Sequence, residues 1–223
     1  MVDSKYLSSK GILLAAEFMN RNLEFRLSKN KKMDGGRISV RLAQPSDYIY
    51  AKQISEETER SAIARGSGIS KRSVDSIKAK IYDGKAVIAV SDCGNWVGFT
   101  YLEVWEDGKF ISNSGLIVAP EYRKNGVAQA IKEEVFRLSR QKFPKALIFS
   151  ITSGLAILKL NTRLGFEPVT YSEITHEETF WEGCKSCVNH DVLNSRKKCN
   201  CLCTAMLFDP AKNQSEKVNV NQI

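Results

Sequence analysis

The sequence contains no long apolar run. No segment of its 223 residues approaches the roughly 20 consecutive apolar residues that a membrane span requires. The apolar stretch GILLAAEFM near the N-terminus is short, is interrupted by Glu17 and is followed by no small-residue cleavage site. We therefore expect no membrane segment and no secretory signal, and a cytoplasmic location.

Interleaved aromatic and basic residues, which are typical of an RNA-binding sheet, are also missing. Lys and Arg number 33 against 25 Asp and Glu, a formal charge of +8 with a pI of about 9.2. An excess of positive charge favours anionic partners, but here the basic residues are scattered rather than clustered. The pattern indicates a phosphorylated cofactor or an acidic metabolite rather than nucleic acid.

Cysteine is almost absent from the first 183 residues, where Cys93 stands alone. The other cysteines crowd into residues 184 to 203, which is a poor distribution for a disulfide scaffold. Two close pairs could supply four thiolates to a tetrahedral structural zinc ion. The predicted metal ligands are Cys184, Cys187, Cys201 and Cys203, with Cys199 and His190 as alternates.

Other interpretations of the cysteine cluster stay open. Reduced thiols could pack a small lobe without metal, or closely spaced thiols could pair on oxidation. A catalytic metal is not expected for this chain.

The chain divides into four predicted parts. Residues 1–36 form an N-terminal extension and linker, with a helix expected over Ser8–Leu27. Residues 37–174 form the main domain, residues 175–210 a Cys-rich module and residues 211–223 a disordered tail.

The main domain shows alternating strand and helix patterns. A strand, ISVRLA, begins at Ile38 and is followed by two helical segments, the first opening at Pro45. Three strands in a meander come next, then a helix, a strand, a helix and a last strand over GFEPVTYSEI. This order predicts an α/β fold.

The stretch LIVAPEYRKNGVAQAI, from Leu116, leads from a strand through a basic loop into a helix. Free backbone N–H groups and the helix dipole converge at such a helix start and favour a bound phosphate. Gly126 and Ala128 are small enough for close backbone approach, and Arg123 and Lys124 add positive charge. The alternative is an ordinary strand-to-helix turn.

In this order of elements, VAPEYRKNGVA resembles the acyl-CoA binding motif of the GNAT N-acyltransferase superfamily, R/Q-x-x-G-x-G/A after a strand. LGFEPV resembles the segment that opens the family's last strand pair, and the likeness covers roughly Ile38 to Ile174. It implies a central mixed, mostly antiparallel, twisted sheet flanked by helices. It also implies that a loop binds the pyrophosphate of coenzyme A and that the strand before this loop lies along the pantetheine arm. The residues implied to bind the coenzyme are Leu116, Ile117, Val118, Arg123, Lys124, Asn125, Gly126, Val127 and Ala128.

Several longer segments, among them RGSGISKRS, TSGLAILKLNTRLGF and FWEGCKSCVNHDVL, are similar to a bacterial GNAT subfamily associated with arginine biosynthesis in Bacteroidetes-type genomes. This resemblance implies acylation of the amino group of glutamate by acetyl-CoA or succinyl-CoA. Substrate carboxylates would need cationic partners, and the loop after the first helix offers Arg65, Lys71 and Arg72. These residues could instead form a solvated basic loop.

Members of the GNAT superfamily transfer the acyl group by direct attack of an amine within one ternary complex. Glu103, in a strand of the meander, is a candidate base, or else a solvent-facing residue. Ser112 and Asn113 interrupt an apolar strand, where they could contact the substrate or lie on an exposed face. Asn161 stands where these enzymes often have a Tyr acid. An amide cannot donate a net proton, but it can hydrogen-bond the thioester sulfur.

Alternative functions are a GNAT enzyme acting on a protein N-terminus, a lysine or an aminoglycoside, and a regulatory module that binds acyl-CoA or metal without turnover. The formation of a homodimer is a further open possibility.

Overall fold

The computed structural model describes residues 23–26, 36–66, 72–199 and 201–212. Its centre is one sheet with the spatial order β1-β2-β3-β4-β5-β6-β8-β7. Neighbouring strands are antiparallel except β5 and β6, which are parallel. The strands are β1 Leu23–Arg26, β2 Arg37–Leu42, β3 Ala86–Ser91, β4 Trp96–Trp105, β5 Phe110–Val118, β6 Leu147–Thr152, β7 Glu167–Val169 and β8 Thr204–Phe208. The predicted mixed, mostly antiparallel sheet is confirmed.

Helices follow the strands in the predicted order. The α-helices of the described residues are α1 Ala51–Arg65, α2 Val74–Tyr82, α3 Val127–Lys142, α4 Leu155–Arg163, α5 Glu178–Glu182 and α6 His190–Ser195. Helix α1 ends at Gly66 in the left-handed conformation, and the Ser73 hydroxyl caps α2 by accepting from the Ser76 N–H. In α3, Ile131, Val135 and Leu138 are buried in the main core.

The centre of the sheet is buried on both faces. Every side chain from Ala86 to Ala89 in β3 is inaccessible, and β4 is buried from Trp96 to Leu102. A continuous apolar run of this kind is typical of a strand covered by helices on both sides. The site therefore rests on a rigid scaffold.

Strands β5 and β6 diverge after a short pairing. They pair only from Phe110 to Ser112 on β5, while the register between β4 and β5 shifts near Gly115. Gly115 has a φ of 68°, and a Cβ there would lie 2.3 Å from Cε1 of Tyr101. The bulge and the early end of the pairing open a gap within the sheet.

Two expectations about the ends of the chain were wrong. The predicted helix Ser8–Leu27 is contradicted at its C-terminal end, where Leu23–Arg26 forms strand β1 and pairs with β2. The alternation of apolar and charged residues in the sequence LEFR favours a strand. Residues 8–22 of the predicted helix lie outside the described residues. The last strand expected over GFEPVTYSEI is only Glu167–Val169, because a capped 3₁₀ turn begins at Tyr171.

The sheet also continues beyond the boundary predicted at residue 174. Strand β8 lies between β6 and β7, and Ala205, Met206 and Phe208 are buried in the two apolar cores. The end of the predicted Cys-rich module is therefore part of the main sheet, because an apolar strand can pair on both edges there. Of the predicted tail, residues 213–223 lie outside the described residues.

Candidate functional site

A cleft of about 970 Å³ opens where β5 and β6 diverge. Tyr101 and Glu103 line it from one side, and Asn113 and Lys132 also line it. Because the side chains of a strand alternate between faces, Ser112 and Asn113 reach the cleft from opposite faces of β5. The cleft therefore passes through the sheet rather than lying on it.

The predicted phosphate loop lies at the start of α3. Gly126 is the residue before the helix and has a φ of 80°, and Lys124 is also left-handed, with a φ of 65°. A Cβ at Gly126 would meet nothing within 4 Å, so the space in front of the loop is open. The exposed start of a 16-residue helix is suited to an anion. Asn125 folds back, its Nδ2 donating to the carbonyl of Arg123 over 3.2 Å.

Arg123 is not free to contact phosphate with its whole guanidinium group. Its Nε donates to the carbonyl of Val118 over 2.9 Å, and its Nη2 donates to Glu57 and Ser61 over 2.7 Å each. Glu57 is buried, so Arg123 neutralises an internal carboxylate and ties α1 to the end of β5. The remaining cation of the motif, Lys124, is exposed.

The strand before the loop splits its side chains between core and cleft. Ile117 and Val118 are buried in the main core, whereas Leu116 is half-buried and lines the cleft. Val127 is buried at the first turn of α3 and Ala128 is half-buried behind it. The backbone of β5 beyond Ser112 has no partner strand on its β6 side.

One wall of the cleft carries a cationic cluster around Tyr101. The Tyr101 hydroxyl accepts a hydrogen bond from Nε of Arg72, and the Arg72 guanidinium lies 5.7 Å from the ring centroid. Lys80 forms an ion pair with Glu103 and lies 5.8 Å from the same centroid. Burial raises the pKa of Tyr101 to about 12. Among the predicted acceptor-binding residues, Arg72 reaches the cleft.

Sequence reasoning missed Tyr101 and Lys80. Strand alternation could have indicated Tyr101, because it lies two residues before Glu103 and so shares its face. Lys80 comes from α2, and only packing places it beside β4. The side chain of Arg65, and Lys71 as a whole, lie outside the described residues.

Ser112 and Asn113 both line the cleft. The Ser112 hydroxyl accepts from Nε1 of Trp105 over 2.9 Å. Asn113 donates from Nδ2 to the Ser139 hydroxyl of α3 over 2.8 Å, while its Oδ1 is buried with no partner among the described residues. An unpaired buried acceptor is costly, and at the cleft wall this oxygen is available to a ligand.

Asn161 lies elsewhere. Its side chain is fully buried in α4, its Nδ2 contacts the Met206 sulfur over 3.5 Å, and it is not among the residues that line the cleft. This placement gives no support to the hypothesis that Asn161 contacts the sulfur of a bound thioester.

Lys132, also missed, is a buried lysine in the wall formed by α3. Burial lowers its pKa to about 7, and its Nζ lies 5.2 Å from the ring centroid of Phe166. The sequence signal was a lysine adjoining Ile131 and three residues before Val135, on the apolar side of an amphipathic helix.

The four predicted metal ligands come together along another wall of the cleft as free thiols: Cys184, Cys187, Cys201 and Cys203. Tyr171 holds one end of this cluster, with its hydroxyl 2.9 Å from the Cys201 sulfur and donating to the Cys203 carbonyl. A hydrogen bond from Cys203 lowers the pKa of Cys201 to about 5.

Within the described ranges, no three His, Cys, Asp or Glu side chains form a group that could hold a metal ion. Cys199 is exposed and away from the cleft, and His190 is half-buried and lines it. The four cysteines line the same cleft, and the described residues give no support to a zinc ion.

No protein-family model and no curated protein matches the sequence. Solved structures do match the fold. The N-acetylglutamate synthase of Neisseria gonorrhoeae, complexed with coenzyme A and N-acetyl-glutamate, superposes with a TM-score of 0.55 at 16% identity over 77% of this chain and 35% of that one. The chain thus spans about a third of that synthase.

Two shorter proteins match over most of their length. Rv2747 from Mycobacterium tuberculosis, in complex with CoA, gives a TM-score of 0.54 at 20% identity, covering 76% of this chain and 98% of that one. A GNAT superfamily phosphinothricin acetyltransferase from Sinorhizobium meliloti, in complex with AcCoA, gives 0.53 at 16% identity, covering 77% and 88%. This chain has the fold of these coenzyme A-binding proteins. In the part of the chain that the structure describes, no helix is long and apolar enough to span a membrane.

Proposed function

We propose that this chain, which has the GNAT fold, transfers an acyl group from acyl-CoA to the amino group of a small acidic acceptor, with glutamate as the leading candidate. The observation that carries the proposal is the gap between β5 and β6. From this gap the free edge of β5 runs toward the loop before α3, whose start is open, and the cations Arg72 and Lys132 line the cleft.

Acyl-CoA would bind along β5. Its pyrophosphate would meet the backbone N–H groups at Gly126 and the exposed Lys124, and its pantetheine arm would pair with the free edge of β5 from Asn113 to Val118. A backbone N–H of this unpaired edge would then face the thioester oxygen and stabilise the oxyanion. The acyl group would be acetyl or succinyl.

The acceptor would bind beside Tyr101. Arg72 supplies a planar cation for a carboxylate, and Lys80 is already neutralised by Glu103. Glu103, or a water that it holds, would take the proton of the acceptor ammonium before attack. Holding both substrates in one complex supplies much of the rate.

The glutamate assignment has two supports. One is the resemblance of the sequence to the arginine-biosynthesis GNAT subfamily, and the other is N-acetyl-glutamate in the matching Neisseria structure. The experiment is a thiol-release assay with acetyl-CoA and succinyl-CoA against a panel of amino acids. Release with acidic amino acids alone supports the proposal. Thiol release only with peptides, lysine or aminoglycosides would assign the activity to another acceptor. Coenzyme binding without any thiol release would indicate a regulatory module.

Arg72 separates acceptor binding from coenzyme binding. Arg72→Ala should raise the acceptor KM at least tenfold and leave the acyl-CoA KM within twofold, because a lost charged hydrogen bond costs about 1.5–3 kcal/mol. Lys145→Ala, which removes an exposed cation outside the cleft, is the matched control. Equal effects of Arg72→Ala on both KM values would mean that Arg72 has a structural role and does not bind the acceptor.

A further inference from the structure

Lys132 is a buried amine whose role the binding scheme above leaves open. Its side chain is 2% exposed and lines the cleft from α3. Within the described ranges, no carboxylate and no hydrogen-bond acceptor pairs with its Nζ, which lies near the face of the Phe166 ring. A buried lysine without a counterion is costly, so its presence at a cleft wall points to function.

The position of Lys132 relative to β5 is informative. Asn113 bonds to Ser139 of α3, so Asn113 and Lys132 share the α3 face of the sheet. Glu103 bonds to Lys80 of α2, so Glu103 lies on the opposite face. The cleft joins both faces through the gap.

This arrangement separates the two partners of the reaction. An acceptor beside Glu103 attacks the thioester from the α2 face, while the coenzyme, whose phosphates bind at the start of α3, approaches from the α3 face. Lys132 follows Gly126 by six residues, about 9 Å along the helix axis at 1.5 Å per residue. The sulfur therefore departs on the face that carries Lys132.

We propose that Lys132 is a catalytic residue, the general acid that protonates the departing coenzyme A thiolate. This inference rests on the proposed acyl transfer. The acceptor amine, having lost a proton to Glu103 or its water, forms the C–N bond at the thioester carbon. The C–S bond then breaks with its electron pair on sulfur, an N–H bond of the Lys132 ammonium breaks, and an S–H bond forms. Lys132 regains its proton from solvent.

The acidity of Lys132 suits this step. A pKa of about 7 lies below that of an ordinary thiol, roughly 8.5, so proton transfer to the thiolate is favourable. Arg72, Tyr101, Glu103, Tyr171 and the cysteines face the cleft from other walls. None of these groups shifts the pKa of Lys132, for which burial is the only cause.

The test compares two replacements of Lys132. Lys132→Met removes the proton donor, and Lys132→Arg keeps the charge but cannot release a proton at these pH values. Both should lower kcat about 100-fold with acetyl-CoA, while the calorimetric Kd for coenzyme A changes less than threefold. Lys145→Met is the matched control and should leave both quantities unchanged.

A second substrate distinguishes acid catalysis from a structural effect. With the acetyl thioester of 4-nitrothiophenol, whose thiolate needs no proton to depart, the variants should approach the wild-type rate. Independently of any variant, kcat of the wild type with acetyl-CoA should fall above about pH 7. This decrease in kcat should be absent with the nitrothiophenyl thioester.

Four results would overturn the role of Lys132 while leaving the proposed function intact. They are full activity of Lys132→Arg, kcat of Lys132→Met within threefold of wild type, equal losses with both thioesters, and a loss confined to succinyl-CoA. The last would make Lys132 a receptor for the acyl carboxylate. Wild-type protein that transfers no acyl group to any amine overturns the proposed function, and the role of Lys132 with it.

Discussion

Single cations in this chain act in different ways because their surroundings differ. Arg123 pairs with the buried Glu57, so its charge neutralises an internal carboxylate and stabilises the fold. Lys80 pairs with Glu103 at the cleft, whereas Lys132 is buried beside the same cleft with no anionic partner in the described residues. The residue type alone does not distinguish these cases. The partner does, and partners come from distant parts of the chain.

Lys132 should lower the stability of the protein at neutral pH. Its pKa falls from 10.5 to about 7 on folding, so the unfolded state binds more protons between pH 7 and 10.5 and the free energy of unfolding should rise with pH across that window. Lys132→Met should remove this cost and stabilise the protein on the order of a few kcal/mol at pH 6 to 7. The gain should shrink toward pH 10.5.

Urea unfolding at several pH values measures this effect, with Lys145→Met as the exposed control. A stability difference that does not depend on pH would mean that Lys132 titrates normally in the folded state.

At the scale of elements, two glycines shape the site in different ways. Gly115 lies at the bulge of β5, where a Cβ would clash with Tyr101, and Gly126 lies before α3, where a Cβ would meet open space. Both have positive φ, at 68° and 80°. The first holds the strand and the cationic cluster in register, and the second leaves the helix start open to an anion.

Substitutions at these glycines should therefore separate stability from binding. Gly115→Ala should cost about 2–5 kcal/mol of stability, from backbone strain together with overpacking against Tyr101. Gly126→Ala should cost only about 1–2 kcal/mol, from strain alone. Gly126→Asp should remain folded but lose acyl-CoA binding, because its carboxylate repels the phosphates.

Thermal unfolding gives the costs, and calorimetry with coenzyme A gives the affinities. Unchanged affinity in folded Gly126→Asp would contradict the phosphate site.

At the scale of the whole molecule, the Cys-rich segment is integrated into the domain. Between β7 and β8 the chain crosses the cleft wall, with Cys184 and Cys201 packed against a core that includes Phe149 and Trp181. It then returns to the sheet as β8, between β6 and the edge strand β7. The cysteine segment is held at both ends by the sheet, so packing organises it without requiring a metal.

Removal of β8 should consequently unfold the domain. A chain that ends after Cys203 loses Met206 and Phe208 from the core, at a cost of about 2–5 kcal/mol for each large side chain. It also leaves β7 without a partner strand and β6 paired with β5 alone. A chain that ends after Lys212 keeps β8 and is the control. We expect cooperative thermal unfolding only for the longer chain; a cooperative transition in both would make residues 204–208 dispensable.

The amino-acid sequence by itself determined the order of strands and helices in the middle of the chain, and with it the fold class. It also determined the basic loop that precedes α3, because these features depend on local periodicity and on glycine at the helix start. Local patterns likewise indicated Arg72 and Glu103 as residues of the site.

Only the tertiary structure decided the rest, since it depends on contacts between distant segments. The gap between β5 and β6 arises where their pairing ends. Strand β8 pairs with β6 although it begins at Thr204, 52 residues after β6 ends at Thr152. Tyr101 and Arg72 meet across 29 residues, and Arg123 and Glu57 across 66. Burial, which no local pattern reports, made Asn161 a core residue and gave Lys132 its low pKa.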